Sequence, residues 1–317
     1  MRPILSVEKL ATRYFTRQGE VRAVDGVSFQ LAPGETLGLV GESGCGKTSL
    51  ALSILKLLPD NARVGGHVYF DGTDLAALSE DELRRYRGRR IAMIFQAAMN
   101  SLDPVYRVGD QVVEAILAHE EVSLAAARER AAGLFELVGL EPELLRRYPH
   151  EYSGGMRQRA VIAMALAASP DVVIADEPTT ALDVLVQGHI LKELGHIQRQ
   201  LNMSMLYISH DIAAVAQVSH RIGVMYAGKL VEVAATAELL EWPQHRYTQA
   251  LLAAFPSIHG EKRVLAGLPG EPPDGVRPPS GCRFHPRCPG ATALCRQEEP
   301  PLAALDGRWL ACWHPLE

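Results

Sequence analysis

Apolar and polar residues alternate along residues 4–10 and 21–31. A period of two is the pattern of antiparallel strands with one solvated face. Thr36-Leu37-Gly38-Leu39-Val40 and Ile91-Ala92-Met93-Ile94-Phe95 are short apolar runs that read as strands, the first of them buried. Val172-Val173-Ile174-Ala175 and Met205-Leu206-Tyr207-Ile208 are unbroken apolar runs, as expected of parallel strands covered on both faces. Between about 100 and 152 the period becomes helical. Leu124, Ala127, Ala131, Leu134, Phe135 and Val138 form one stripe that begins after Ser123, a candidate N-cap. Asp71-Gly72 after His67-Val68-Tyr69-Phe70, and Ala227-Gly228 between residues 221–226 and 229–233, mark tight turns. The pattern predicts an α/β core preceded by antiparallel strands and interrupted by a helical insertion.

The chain of 317 residues has room for one large α/β domain with an extension. A net charge of −5 gives no electrostatic footprint for nucleic acid. No apolar run approaches the roughly 20 residues of a membrane span. The longest candidate, 160–175, contains Ser169, Pro170 and Asp171 and splits into a helix and a strand. The N-terminal residues lack a signal-peptide core, so the expectation is a cytosolic protein whose membrane role needs a partner. After Phe255 the composition shifts: the last 62 residues hold 11 of the 20 prolines and four of the five cysteines. This places a boundary near 256. The expected organisation is residues 1–255, with a helical subdomain at about 100–165, followed by a loop-rich extension over 256–317.

Residues 41–48 read Gly-Glu-Ser-Gly-Cys-Gly-Lys-Thr, a G-x-x-x-x-G-K-[ST] loop between the predicted strand 36–40 and a predicted helix 49–56. The glycines Gly41, Gly44 and Gly46 let the backbone wrap phosphate oxygens. N–H groups of Ser43, Cys45 and Ser49 and the helix dipole favour the anion. Lys47 is placed to reach the β- and γ-phosphates of a nucleoside triphosphate, and the Thr48 hydroxyl to bind Mg²⁺. A thiol at a helix N-terminus is expected to be activated, so Cys45 is expected to be oxidation-sensitive.

Downstream, the strand 172–175 emerges as Asp176-Glu177. Asp176 is a candidate Mg²⁺ ligand and Glu177 the candidate general base for water. Tyr152-Ser153-Gly154-Gly155-Met156-Arg157-Gln158-Arg159 precedes an apolar helix. Ser153 is a natural N-cap, and two glycines at a helix start allow close approach to an anion.

With these motifs in this order the chain resembles the ATP-binding-cassette (ABC) ATPases. Residues 152–156 are similar to the family's LSGGQ signature, with Tyr152 for the usual Leu and Met156 for the usual Gln. Gln96, followed by residues 97–104, resembles the Q-loop glutamine, which in the family touches Mg²⁺ and the water and feels the membrane partner. Ala181-Leu182-Asp183 resembles the D-loop, and His210 in Ser209-His210-Asp211 the switch histidine at the γ-phosphate. Tyr14 or Phe15 is placed to stack on adenine, with Phe15 favoured. The resemblance covers about residues 4–255 and implies an ABC-type nucleotide-binding fold with antiparallel β and helical subdomains. It implies two cassettes sandwiching two ATP molecules, each between one phosphate loop and the other chain's Ser153-Gly154-Gly155.

The tail holds Cys282 and Cys288 in Cys-Arg-Phe-His-Pro-Arg-Cys-Pro, then Cys295, then Cys312 in Cys-Trp-His-Pro, spaced x5, x6 and x16. This resembles the C-terminal region of dipeptide/oligopeptide importer ATPases, a group that includes nickel importers. The resemblance implies a peripheral subunit on the cytoplasmic face of the membrane, powering solute import, with di- or oligopeptides favoured over nickel. Implied partners are two transmembrane permease subunits, a second and paralogous ATPase subunit and, indirectly, an extracytoplasmic solute-binding protein. Four thiolates can hold a [4Fe–4S] cluster or a structural Zn²⁺, and unligated thiols are the third reading; the resemblance favours the cluster. A soluble ABC protein acting on nucleic acid or the ribosome is the alternative. The 79 residues between Gln96 and Asp176 leave no room for the long coiled coil of repair-type members, and the net charge is wrong for nucleic acid.

Overall fold

A computed structural model describes residues 2–96, 101–180, 182–254 and 270–316. Leu31–Thr36 and Ala77–Ile208 gather into one unit, and Pro3–Gln30, Leu37–Ala76 and Ser209–Glu317 into another. The first is called the helical unit and the second the phosphate-loop unit.

In the phosphate-loop unit the alternating N-terminal segments become β1 (Leu5–Thr16) and β2 (Gly19–Leu31). With β4 (Ala62–Phe70) and β5 (Thr73–Asp74) they form a sheet in the order β2-β1-β4-β5. β1 and β4 are antiparallel, from Leu5↔Phe70 to Tyr14↔Ala62. Their buried face carries Leu5, Val7, Leu10, Val68 and Phe70. The Asp71-Gly72 turn has φ of 46° and 85°, the left-handed pair that a two-residue hairpin requires.

The same unit contains a second set of strands. β3 (Thr36–Val40) is buried at every position and runs parallel to β9 (Arg221–Tyr226), Val40 opposite Val224. β9 turns through Ala227-Gly228, again a left-handed pair, into antiparallel β10 (Lys229–Ala235). Helices α1 (Lys47–Ile54), α7 (Ile212–Val218), α8 (Thr236–Glu241), α9 (Arg246–Ala253) and α10 (Ala293–Gln297) complete it.

The described part of the tail adds strands to the same sheet. β12 (Arg308–Leu310) pairs antiparallel with β10, and β11 (Ala303–Leu305) with β12. β10 would otherwise expose a row of unpaired backbone groups, and the tail covers it. Under this addition Glu232 is completely buried. Its carboxylate accepts from the backbone N–H groups of Gln244 (2.9 Å) and His245 (3.0 Å) and from Arg308 Nη1 (3.0 Å). The two short strands of this segment were not visible in the sequence pattern, because three residues carry no measurable periodicity. The boundary placed near 256 lies outside the described residues.

The helical unit is built on parallel strands β8 (Ser204–Ser209), β7 (Val172–Asp176) and β6 (Ile91–Ile94), in that order. β7 sits between the other two and is fully buried, which is why its residues form an unbroken apolar run. Its helices are α2 (Glu80–Arg84), α3 (Val108–Leu117), α4 (Leu124–Leu137), α5 (Gly154–Ala165) and α6 (Val184–Gln200). Ser123 caps α4 as predicted, accepting from Ala126 N–H at 3.2 Å. Ala127, Ala131 and Phe135 are fully buried, but Leu124 is half exposed because it opens the first turn of the helix. Among the described residues no helix is long and apolar enough to cross a membrane.

Candidate nucleotide-binding site

The phosphate loop follows β3 and opens α1, the strand–loop–helix context its sequence predicts. Two glycines are obligatory for steric reasons. A Cβ on Gly41 would stand 2.1 Å from the Met225 carbonyl oxygen. Gly46, the N-cap of α1, has φ 106°, and a Cβ there would stand 2.0 Å from the Ala23 carbonyl oxygen. Lys47 is 5% exposed. Its ammonium donates to the carbonyls of Gly41 (2.7 Å) and Glu42 (3.1 Å), so the loop curls around its own lysine. Such weak carbonyl partners exchange readily for phosphate oxygens, which carry full charge. Thr48 and Ser49 are half-buried and Ser43 and Gly44 exposed.

Cys45 corrects one expectation. Its side chain is buried, and burial pushes its thiol up from the ordinary value, outweighing the nearby Lys47 ammonium. The helix N-terminus therefore does not produce an activated thiol here: desolvation of the thiolate costs more than the local positive charge returns.

Tyr14 and Phe15 have different environments within this unit. The Tyr14 hydroxyl donates to Ser49 Oγ at 3.1 Å, which ties the strand to α1, whereas the Phe15 ring is half exposed. His210, immediately after β8, is exposed.

The helical unit brings together the other candidates. Asp176 ends β7 and is completely buried. Glu177 adopts φ 49°, unusual for a residue with a side chain, and its N–H donates to the Ile208 carbonyl at 2.9 Å. That turn redirects the chain after the strand. The Glu177 carboxylate accepts from Gln96 Nε2 (3.2 Å) and Thr180 Oγ1 (2.9 Å). Gln96 and Glu177, 81 residues apart in sequence, thus share one hydrogen bond. The rest of the Q-loop segment, 97–100, and Ala181 of the D-loop lie outside the described residues.

Ser153 caps α5, accepting from Met156 N–H at 3.3 Å. Gly155 needs its lack of a side chain, because a Cβ would come within 2.7 Å of Val186 Cγ1. Tyr152 is buried, and its hydroxyl donates to the Leu144 carbonyl at 2.6 Å, so the larger residue at this position closes a polar contact. Arg159 holds the end of α4 through the carbonyls of Val138 and Gly139 and an ion pair to Glu193 at 2.8 Å.

The four tail cysteines line one small cavity together with Phe284, Trp313 and neighbouring residues. Burial pushes Cys282 up to about 11 and raises Cys288 and Cys312. The expected metal centre finds no support here, as a [4Fe–4S] cluster or as Zn²⁺: among the described residues no group of three or more His, Cys, Asp or Glu is placed to hold a metal ion.

Sequence reasoning missed the residues that support the phosphate loop from the tail side. Arg287 donates from both Nη atoms to the Glu42 carboxylate, at 2.7 and 3.0 Å. Tyr247 takes the Glu42 N–H at 3.0 Å, and Phe284 packs edge-on against Tyr226. Glu42 occupies a variable position of the loop motif and Arg287 lies between tail cysteines, so no motif signalled either.

A family profile described as "ABC transporter" matches residues 24–180, and one described as "Oligopeptide/dipeptide transporter, C-terminal region" matches residues 231–295. The chain is 46% identical to the dipeptide transport ATP-binding protein DppD of Bacillus subtilis (strain 168), over 99% of this chain and 95% of that protein. It is 42% identical to the oligopeptide transport ATP-binding protein OppD of Escherichia coli (strain K12), over 99% and 94%. Among solved structures it resembles the dimeric ATP-binding cassette MJ0796 bound to ADP and Pi. The TM-score is 0.66 and the identity 26%, over 73% of this chain and 98% of that one.

Proposed function

The chain belongs to the dipeptide/oligopeptide branch of the ABC transporter ATP-binding proteins, and on that premise we propose how its residues use ATP. It is the ATPase subunit of a peptide importer. The nickel-importer alternative is not favoured, because the relatives it matches carry dipeptide and oligopeptide names. The observation that carries this reading is the union in one chain of the ABC transporter match and the peptide-transporter tail match.

Gly41 and residues 43–49 wrap the triphosphate, Lys47 compensates charge on the β- and γ-phosphates, and Phe15 stacks on adenine. This assignment to Phe15 rests on its exposed ring, since Tyr14 is occupied by Ser49. Mg²⁺ when bound supplies Lewis-acid stabilisation of charge on the phosphoryl oxygens. Thr48, Gln96 and Asp176 would hold it, and a hydroxyl, an amide oxygen and a buried carboxylate are the hard donors it prefers. Glu177 accepts the proton of the attacking water. Its hydrogen bonds from Gln96 and Thr180 keep it aimed and still leave lone pairs to accept from water. His210 contacts the γ-phosphate.

An importer ATPase of this kind works with membrane permeases and as a dimer. The finer arrangement proposed is two permease subunits, a paralogous second ATPase and a solute-binding protein outside, with this chain on the cytoplasmic face. Ser153, Gly154 and Gly155 close over the second subunit's ATP, where the first N–H groups of α5 meet its γ-phosphate. For the tail cysteines the proposal is the [4Fe–4S] cluster that the resemblance favours, with Zn²⁺ as its alternative, and what supports it is that the four thiols line one cavity. Iron in the purified complex supports it; its absence removes it.

The test is Glu177→Gln in the assembled transporter. ATP hydrolysis and peptide uptake should fall by about a hundredfold or more, with ATP binding kept. Hydrolysis at the wild-type rate would remove Glu177 as the base.

A further inference from the structure

We infer that Arg287 is a positioning residue for the ATP site, acting from the C-terminal tail through Glu42 of the phosphate loop. The contact joins residues 245 apart in sequence. It is a bidentate guanidinium–carboxylate pair, the strongest form of charged hydrogen bonding that side chains offer. Little of it faces solvent: the Arg287 side chain is 5% exposed and that of Glu42 24%. Arg287 is itself fixed, with Nη1 3.3 Å from the Tyr226 hydroxyl and the guanidinium over the Tyr226 ring at 5.7 Å.

Glu42 is held at three points. Its N–H donates to the Tyr247 hydroxyl, its carbonyl accepts from Lys47 and its carboxylate is clamped by Arg287. The two tyrosines and Phe284 pack together, with ring centroids 4.6 Å apart for Tyr226–Tyr247, 5.2 Å for Tyr226–Phe284 and 5.4 Å for Tyr247–Phe284. Tail residues 284–287 thus form one wall of the phosphate loop.

Two consequences follow physically. Fixing Glu42 pre-orders the loop whose N–H groups receive the triphosphate, which removes an ordering cost from binding. The pair also neutralises a carboxylate that stands in an anion-binding loop. Without Arg287, Glu42 would repel the triphosphate at short range. Both act on ATP affinity and leave the proton transfer at Glu177 untouched. Any event that displaces the tail therefore weakens ATP binding rather than the chemical step.

This inference rests on the phosphate loop being the ATP site, and Lys47→Ala in the same assay tests that separately by abolishing ATP binding. In the purified transporter, Arg287→Ala should raise the KM and Kd for ATP at least about tenfold. The kcat at saturating ATP should stay within about twofold. Glu42→Gln introduced into Arg287→Ala should recover most of the lost affinity, because it removes the stranded charge. A folded Arg287→Ala with unchanged Kd overturns the inference, as does a fall in kcat at unchanged KM. Failure of Glu42→Gln to recover affinity also overturns it, since a merely structural arginine gives that result. Should Arg287→Ala not fold, Arg287→Lys carries the test. It keeps the charge and loses the fork, so about a threefold rise in Kd is expected, and no rise overturns the proposal.

Discussion

Cys45 is the residue at which local and tertiary effects oppose each other. Its position at the start of α1 lowers a thiol's pKa in principle, and Lys47 Nζ stands 3.6 Å from the sulfur. The fold nevertheless buries it, and desolvation prevails. The expected outcome is slow alkylation. Cys45 in the folded protein should react with iodoacetamide at pH 8 more slowly than the same cysteine in urea, measured by peptide mass spectrometry. Cys45→Ser should also leave the peroxide sensitivity of ATP hydrolysis unchanged. Faster reaction in the folded protein would restore the activated thiol. Glu177 shows the reverse case. Its candidacy as the base rests on position after an apolar strand, while its left-handed backbone and its partner Gln96 required the folded chain.

At the scale of elements, strands and helices with strong periods were legible. β3, β7, α4 and both left-handed hairpin turns stand where the sequence placed them, because each is specified by neighbours within about ten residues. The tail was not legible in the same way. Its strands β11 and β12 exist only because β10 offers an edge, and their three-residue length carries no signal of its own. The pairing is secured by Arg308, whose Nη1 reaches both Glu232 and the Trp242 carbonyl at 2.7 Å. Removing one partner of a buried ion pair leaves the other charge uncompensated. Arg308→Ala is therefore expected to destabilise the protein by about 3 kcal/mol, read as a shift in the urea midpoint. A shift under about 0.5 kcal/mol, the scale of an exposed pair, would show that Glu232 is satisfied without the tail.

At the scale of the whole molecule, the proposed ATP sandwich draws on two segments of the chain, one from each unit. The Lys47 loop is proposed to hold a triphosphate, and the start of α5 offers N–H groups beyond the Ser153 cap. Val184 and Leu185, the first residues of α6, are 82% and 78% exposed, an apolar surface suited to burial by a second cassette. Glu177→Gln, expected to bind ATP without turning it over, should therefore associate with its partner cassette only when ATP is present. Light scattering would show the rise in mass, and Gly154→Asp should suppress it by placing a carboxylate where the γ-phosphate arrives. Association independent of ATP would count against the sandwich.

The sequence by itself determined the nucleotide chemistry. Lys47, Thr48, Asp176, Glu177 and the Ser153 cap belong to short motifs, and a motif encodes its geometry through the local strand, loop and helix that carry it. The tertiary structure alone decided which distant residues condition that loop. It buried Cys45, joined Gln96 to Glu177 and set Arg287 against Glu42 across 245 residues. Desolvation and charge pairing depend on what lies nearby in space, and no spacing along the chain reports that.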